Sequence, residues 1–277
     1  MNQPTSHFVA IDGVRLHYVD WGDNGPDVLM LHGDLRTSRS WDAVARQLAP
    51  SFHVLSLDYK GHGDSDWPRR GYRFSQRVDE LYSFCEAVDL KDATAVGHST
   101  GGVIMTLMAE KYPGTFGKLV MLEPMIHVDE KFQRMVSSRR ENHGRTVWNS
   151  REELYDYLKK HHAAGRWRDD VIRDVVEHEA YLMDDGKLDM KWSIDSMNWE
   201  ERDGEYYELI PIFRTLSLPI LFMCSSQRRN QFRDLYPLAG ANSNFDIVTI
   251  EDSDHNMYME RPDEVAEAIS DFLNAAG

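Results

Sequence analysis

Apolar residues in this chain follow two alternating rhythms. Continuous apolar runs at 27–33 (DVLMLHG), 53–58 (HVLSLD), 93–98 (ATAVGH) and 118–123 (KLVMLE) predict strands buried on both faces, as in a parallel sheet. Between them the spacing becomes helical: Trp41, Val44, Ala45 and Leu48, then Val78, Leu81, Tyr82, Cys85 and Val88, then a helix over 100–112. Upstream, HFVAID and VRLHYVDWG read as a hairpin joined at Gly13. Strands alternating with helices require right-handed crossovers and a sheet covered on both sides, which is the α/β class.

The rhythm breaks after Pro124. From there to about Leu216 the chain is polar, helical and rich in charge. Ser150 with Glu153 reads as a capping box for REELYDYLKK, and Asp170 as the cap of VIRDVVEHEAYL. Strand grammar returns with LPILFMC (218–224), a further helix, and FDIVTI (245–250). Pro262 then opens a last helix whose stripe is Val265, Ile269, Phe272 and Leu273. The expected organisation is one α/β core, 1–124 with 217–277, interrupted by a helical insertion over 125–216.

Composition narrows the function. The 277 residues are 42% hydrophobic, enough for a sizeable core, and carry a formal charge of −15. That sign repels phosphate backbones and anionic lipid, so neither nucleic acid nor a membrane surface is an expected partner. No apolar run is long enough to span a bilayer, and the N-terminus lacks a basic start followed by an apolar stretch. The two cysteines, Cys85 and Cys224, read as core residues, so a reduced, cytoplasmic setting is expected.

The candidate chemistry centres on AVGHSTGGVI (95–104), where a strand meets a helix at a glycine-flanked serine. Such a turn holds Ser99 proud of the sheet edge, and the helix start offers the Thr100 N–H to a developing oxyanion. The loop after the third strand, LHGDLRTSRSW, offers the N–H of Asp34 as a second donor. The Asp34 carboxylate would oppose an oxyanion unless it turns away or is neutralised. A serine hydroxyl needs a base. Of twelve histidines, His255 is best placed, just past the last strand in EDSDHNMYMERPDEV, at the strand ends where open α/β sheets bind ligands.

Taken together, HGDLRTSRSW, DYKGHGDSDWP, GHSTGG and DHNMYMERPDEV resemble the α/β-hydrolase superfamily, in order and over residues 8–124 and 217–275. The resemblance implies a mostly parallel eight-stranded sheet flanked by helices, a helical cap in place of the insertion, and a Ser–acid–His triad. In most members the acid follows the seventh strand. Here that stretch is MCSSQRRNQFRD, with Arg228 roughly at the acid's place. Glu123, at the tip of the neighbouring sixth strand, is the expected replacement, as in some haloalkane dehalogenases and lactone hydrolases. The rival acids are Asp234, Asp252 and Asp254, and the bland role for Glu123 is pairing with Lys118 or an arginine.

Other signals carry less. GHGDSD (61–66) lacks the third glycine of a dinucleotide loop, so Asp58 and Asp64 read as structural. HEAYL (178–182) lacks the second histidine of a zinc helix, and His161 with His162 point apart on a helix, so no metal is expected. Of the insertion's tryptophans, Trp192 and Trp199 are the candidates for an apolar substrate pocket. The expected activity is a serine hydrolase, without cofactor, acting on a small ester or lactone with an apolar part. Amide, thioester or C–C bond hydrolysis and a slow-turnover sensor are the alternatives, and a homodimer is allowed.

Overall fold

The computed structural model describes residues 3–134, 146–197, 204–241 and 244–275. Eight strands form one sheet: β1 (Thr5–Ile11), β2 (Val14–Asp23), β3 (Asp27–Leu31), β4 (His53–Asp58), β5 (Ala93–His98), β6 (Phe116–Leu122), β11 (Ile220–Ser225) and β12 (Phe245–Ile250). Their spatial order is β1-β2-β4-β3-β5-β6-β11-β12. Within this sheet the β1–β2 and β2–β4 pairs are antiparallel, and β4, β3, β5, β6, β11 and β12 run parallel. The fold is therefore the mostly parallel α/β sheet that the alternating rhythms predict.

Period-two alternation divides each central strand between two apolar layers. Val28 and Met30 of β3 face one layer with Val96, Val120 and Met223, and this layer takes in α1 (Asp42–Leu48) and the Pro262–Asn274 helix. Leu29 and Leu31 face the other with Ala95, Met121 and Phe222, covered by α2 (Phe74–Ala87), α3 (Thr100–Lys111) and the Leu209–Thr215 helix. With both faces buried, each Leu, Val or Met contributes roughly 1.5–3 kcal/mol. Cys85 and Cys224 are free and buried in the second layer.

Between β6 and β11 no described residue joins the large sheet. This segment holds the helices Arg151–Lys160 and Asp169–His178, a small hairpin of β8 (Ala180–Leu182) with β9 (Leu188–Met190), and a two-residue pair of β7 (His127–Val128) with β10 (Tyr207–Glu208). Its Trp148 and Trp167 pack into the first core layer. Three local expectations need correction. Ser150 caps its helix through the Glu153 N–H at 3.2 Å, but the Glu153 carboxylate reaches back to Asn149 N at 2.8 Å, so the box is not reciprocal. The next helix starts at Asp169 with Arg168 as its cap, and Asp170 lies in the first turn, held by Arg168 Nε at 2.6 Å. That helix stops at His178, and AYL continues as a strand because the β8–β9 hairpin takes its backbone bonds. No helix among the described residues is long and apolar enough to cross a membrane.

Candidate active site

Where β5 runs into α3, Ser99 takes φ 52° and ψ −119°, outside the regions open to most residues. Such a conformation costs about 1–3 kcal/mol and persists only when its surroundings hold it. The holding bonds are Ser99 N–H to Leu122 O at 2.9 Å and Val103 N–H to Ser99 O at 3.1 Å. Two glycines allow the required close approach. A Cβ on Gly101 would stand 2.4 Å from Leu31 O, at the end of β3. One on Gly33 would stand 3.1 Å from the Ser99 Cβ and 2.8 Å from His98 Nδ1. The loop after β3 thus lies directly on the serine turn, with Asp34 next in line and Thr100 at the first position of α3.

The Asp34 carboxylate has two partners on neighbouring elements. It accepts from Tyr59 Oη at 3.3 Å and stands 3.7 Å from Nη1 of the buried Arg77. Asp34 also lines the cavity that holds Ser99 and His255.

Glu123 sits at the tip of β6 with φ 43°, its carboxylate buried. Oε1 accepts from both the N–H and the hydroxyl of Ser225, at 2.8 and 2.7 Å. Oε2 lies 2.8 Å from Nδ1 of His255. These bonds follow from the β6–β11 pairing, which Glu123 N–H extends to Met223 O at 3.2 Å. With Nδ1 turned to the carboxylate, Nε2 is the His255 nitrogen left for other chemistry. Among the described residues no hydrogen bond joins the Ser99 hydroxyl to His255. The two side chains line one cavity, and the His98 and His255 rings touch at 4.6 Å between centroids. His98 Nε2 donates to the His255 carbonyl at 2.9 Å. Burial and the neighbouring His255 push the His98 ring well below the ordinary imidazole value.

The rival acids lie elsewhere. Asp234 is 78% exposed beside Arg233. Asp252 pairs with Arg261 and with Arg166. Asp254 accepts from Arg228 Nε at 2.5 Å and from its neighbour's His255 N–H at 2.7 Å, touching backbone and not ring. Arg228 also stands 3.9 Å from Glu123 Oε2, so the segment after β11 brings a cation to the Glu123 carboxylate. Lys118 instead donates to Phe272 O and Leu273 O, both at 3.1 Å, near the end of the last helix.

The cavity over Ser99 measures about 600 Å³. Trp148, Trp167 and Trp192 line it, while Trp199 lies outside the described residues. Asp58, at the root of the GHGDSD turn, accepts from Ser38 N–H at 2.5 Å, Asp64 N–H at 3.1 Å and the His17 ring at 2.7 Å. Three residues here escape sequence reasoning. Ser225 gives no motif, since its contribution depends on strand register. Arg36 lines the cavity and pairs with Glu179, a fully buried carboxylate from the HEAYL stretch. Burial pushes Glu179 up to about 7, against the pull of Arg36.

Comparison with known proteins agrees with this architecture. The profile of the alpha/beta hydrolase family matches residues 28–268. A protein of Mycobacterium tuberculosis without an assigned activity is 32% identical over 119 residues, spanning 43% of this chain and only 35% of that protein. The 2-(acetamidomethylene)succinate hydrolase of Mesorhizobium japonicum is 25% identical over 279 residues, 98% of this chain and 97% of that one. A crystal structure of E-2-(acetamidomethylene)succinate hydrolase superposes with a TM-score of 0.83 at 22% identity, covering 99% of this chain and 100% of that one. The chain belongs to the alpha/beta hydrolase family.

Proposed function

We propose that the chain is a cofactor-independent serine hydrolase that cleaves a small carboxylic ester or lactone through an acyl-enzyme on Ser99. The observation that carries this reading is the Glu123–His255 hydrogen bond, which occupies Nδ1 and leaves Nε2 free on a ring that lines one cavity with a strained serine. His255 Nε2 takes the hydroxyl proton as Ser99 Oγ bonds to the substrate carbonyl carbon. The carbonyl oxygen becomes an oxyanion facing the N–H groups of Asp34 and Thr100, worth about 3 kcal/mol each at the upper end. His255 then gives the proton to the leaving alkoxide as the ester C–O bond breaks. Water, deprotonated by His255, releases the acid and restores Ser99. Glu123 holds the ring tautomer and stabilises the imidazolium throughout.

Similarity along the full length to an enzyme named for an acetamido-bearing succinate favours amide hydrolysis as a second reading, since the same three groups serve both bonds. Short p-nitrophenyl esters and matched anilides tell the two apart. Steady ester turnover that disappears in Ser99→Ala supports the first. Faster anilide turnover supports the second. A protein that acylates once and never releases would be a sensor and would contradict both.

A further inference from the structure

Two charged side chains that acyl transfer leaves unused meet at the wall of this cavity. Arg36 follows the proposed oxyanion donor Asp34 by two residues and lines the cavity with Ser99 and His255. Its side chain is 14% exposed, and Nη1 stands 3.4 Å from Oε2 of the fully buried Glu179. That contact is not a hydrogen bond: Nη1 and both Glu179 oxygens lack hydrogen-bond partners among the described residues. The guanidinium rests over the Trp167 ring, 5.0 Å from its centroid. A planar fork of five donors is therefore held in place by ring stacking and charge. Leaving buried charged donors unmet is costly, and a planar carboxylate matches the fork in a bidentate way.

The other charges around the cavity leave this role to Arg36. Asp34 stands 3.7 Å from the buried Arg77, and the buried Asp189 accepts from Met190 N–H at 2.7 Å. Among the described lining residues Arg36 is the one arginine or lysine. The chain's overall charge of −15 opposes anions at long range, but it is screened beyond about 8 Å at physiological salt. We propose that Arg36 reads a carboxylate carried by the substrate away from its scissile bond, so that the substrate is an anionic ester or amide. This deepens the acyl-transfer reading and rests on it for the scissile bond. The competing role is a strap, in which Arg36 and Glu179 only tie the insertion to the core.

Equilibrium binding separates these roles without turnover. Monomethyl adipate carries an ester at one end and a carboxylate at the other, and dimethyl adipate is its uncharged counterpart. Titrated calorimetrically into Ser99→Ala, the monomethyl ester is expected to bind about tenfold or more tightly than the dimethyl ester. Adding Arg36→Met should abolish that preference. Adding Glu179→Gln instead should strengthen it about threefold, because a competing carboxylate is gone, whereas a strap would show no such gain. Equal binding of the two esters, or a preference that survives Arg36→Met, overturns the proposal. If Arg36→Met does not fold, Glu179→Gln decides, and an unchanged preference there overturns it. The acyl-enzyme reading fails separately, if the wild type turns over neither ester nor anilide.

Discussion

The Glu123 carboxylate lies 2.8 Å from His255 Nδ1, although 132 residues separate the two in sequence. Its other oxygen is held by the Ser225 N–H and hydroxyl, so the carboxylate is fixed from two neighbouring strands before it meets the ring. Glu123→Gln keeps an oxygen for Ser225 but offers an amide in place of the second acceptor. Its kcat is expected to fall about a thousandfold or more, with cooperative unfolding retained. Asp234→Asn, at an exposed site, should leave kcat within about twofold and stability within about 0.5 kcal/mol. The reverse pattern of kcat values would relocate the acid.

Gly101 lets α3 approach the end of β3. In Gly101→Ala the new Cβ would meet two backbone oxygens, Leu31 O at 2.4 Å and His32 O at 2.5 Å, neither able to swing aside. A loss of roughly 3 kcal/mol is expected, read as a lower urea midpoint at unchanged slope. An unaltered midpoint would mean that the serine turn is held less tightly than the contacts indicate.

His32 gives the chain a dependence on acid. Its ring is fully buried, stacks on Tyr59 at 4.2 Å, and donates from Nδ1 to Gly33 O at 2.8 Å. Burial pushes it down from 6.5 to about 4, against the pull of Asp58. A folded value below the unfolded one means stability that is complete above pH 6.5 and lost as pH falls toward 4, on the order of 3 kcal/mol in full. His32→Asn can keep the bond to Gly33 but does not titrate. The fall in unfolding free energy between pH 7 and 4.5 should be smaller in the variant than in the wild type. Equal slopes would contradict this.

Trp192 closes part of the cavity wall. Trp192→Ala should raise kcat/KM for longer esters relative to acetate by about fivefold or more, since pocket contacts set chain-length discrimination. A loss shared equally by all chain lengths would place the ring in support of the fold instead.

Much of this was legible in the sequence because it rests on strong local patterns. The continuous apolar runs marked the buried strands, and GHSTGG marked the turn at Ser99. The absence of a carboxylate near Arg228 pointed to Glu123 once strands six and seven were taken as neighbours. What was not legible depends on register and on burial. Strands of two or three residues, such as β8 and β9, are too short to show a period, so AYL read as the continuation of a helix. Glu179 looks like any surface glutamate, and nothing local shows that the chain buries it against Arg36. The 2.8 Å bond from Ser225 to Glu123 depends on how β11 aligns with β6.

Covalent capture of the serine tests the central claim most directly. Wild-type protein treated with a fluorophosphonate, read by intact mass and peptide mapping, should gain one phosphonyl group on Ser99. The rate should drop by orders of magnitude in His255→Ala and in Glu123→Gln. An adduct on another residue, or a Ser99 adduct formed as fast without His255 as with it, would contradict the account.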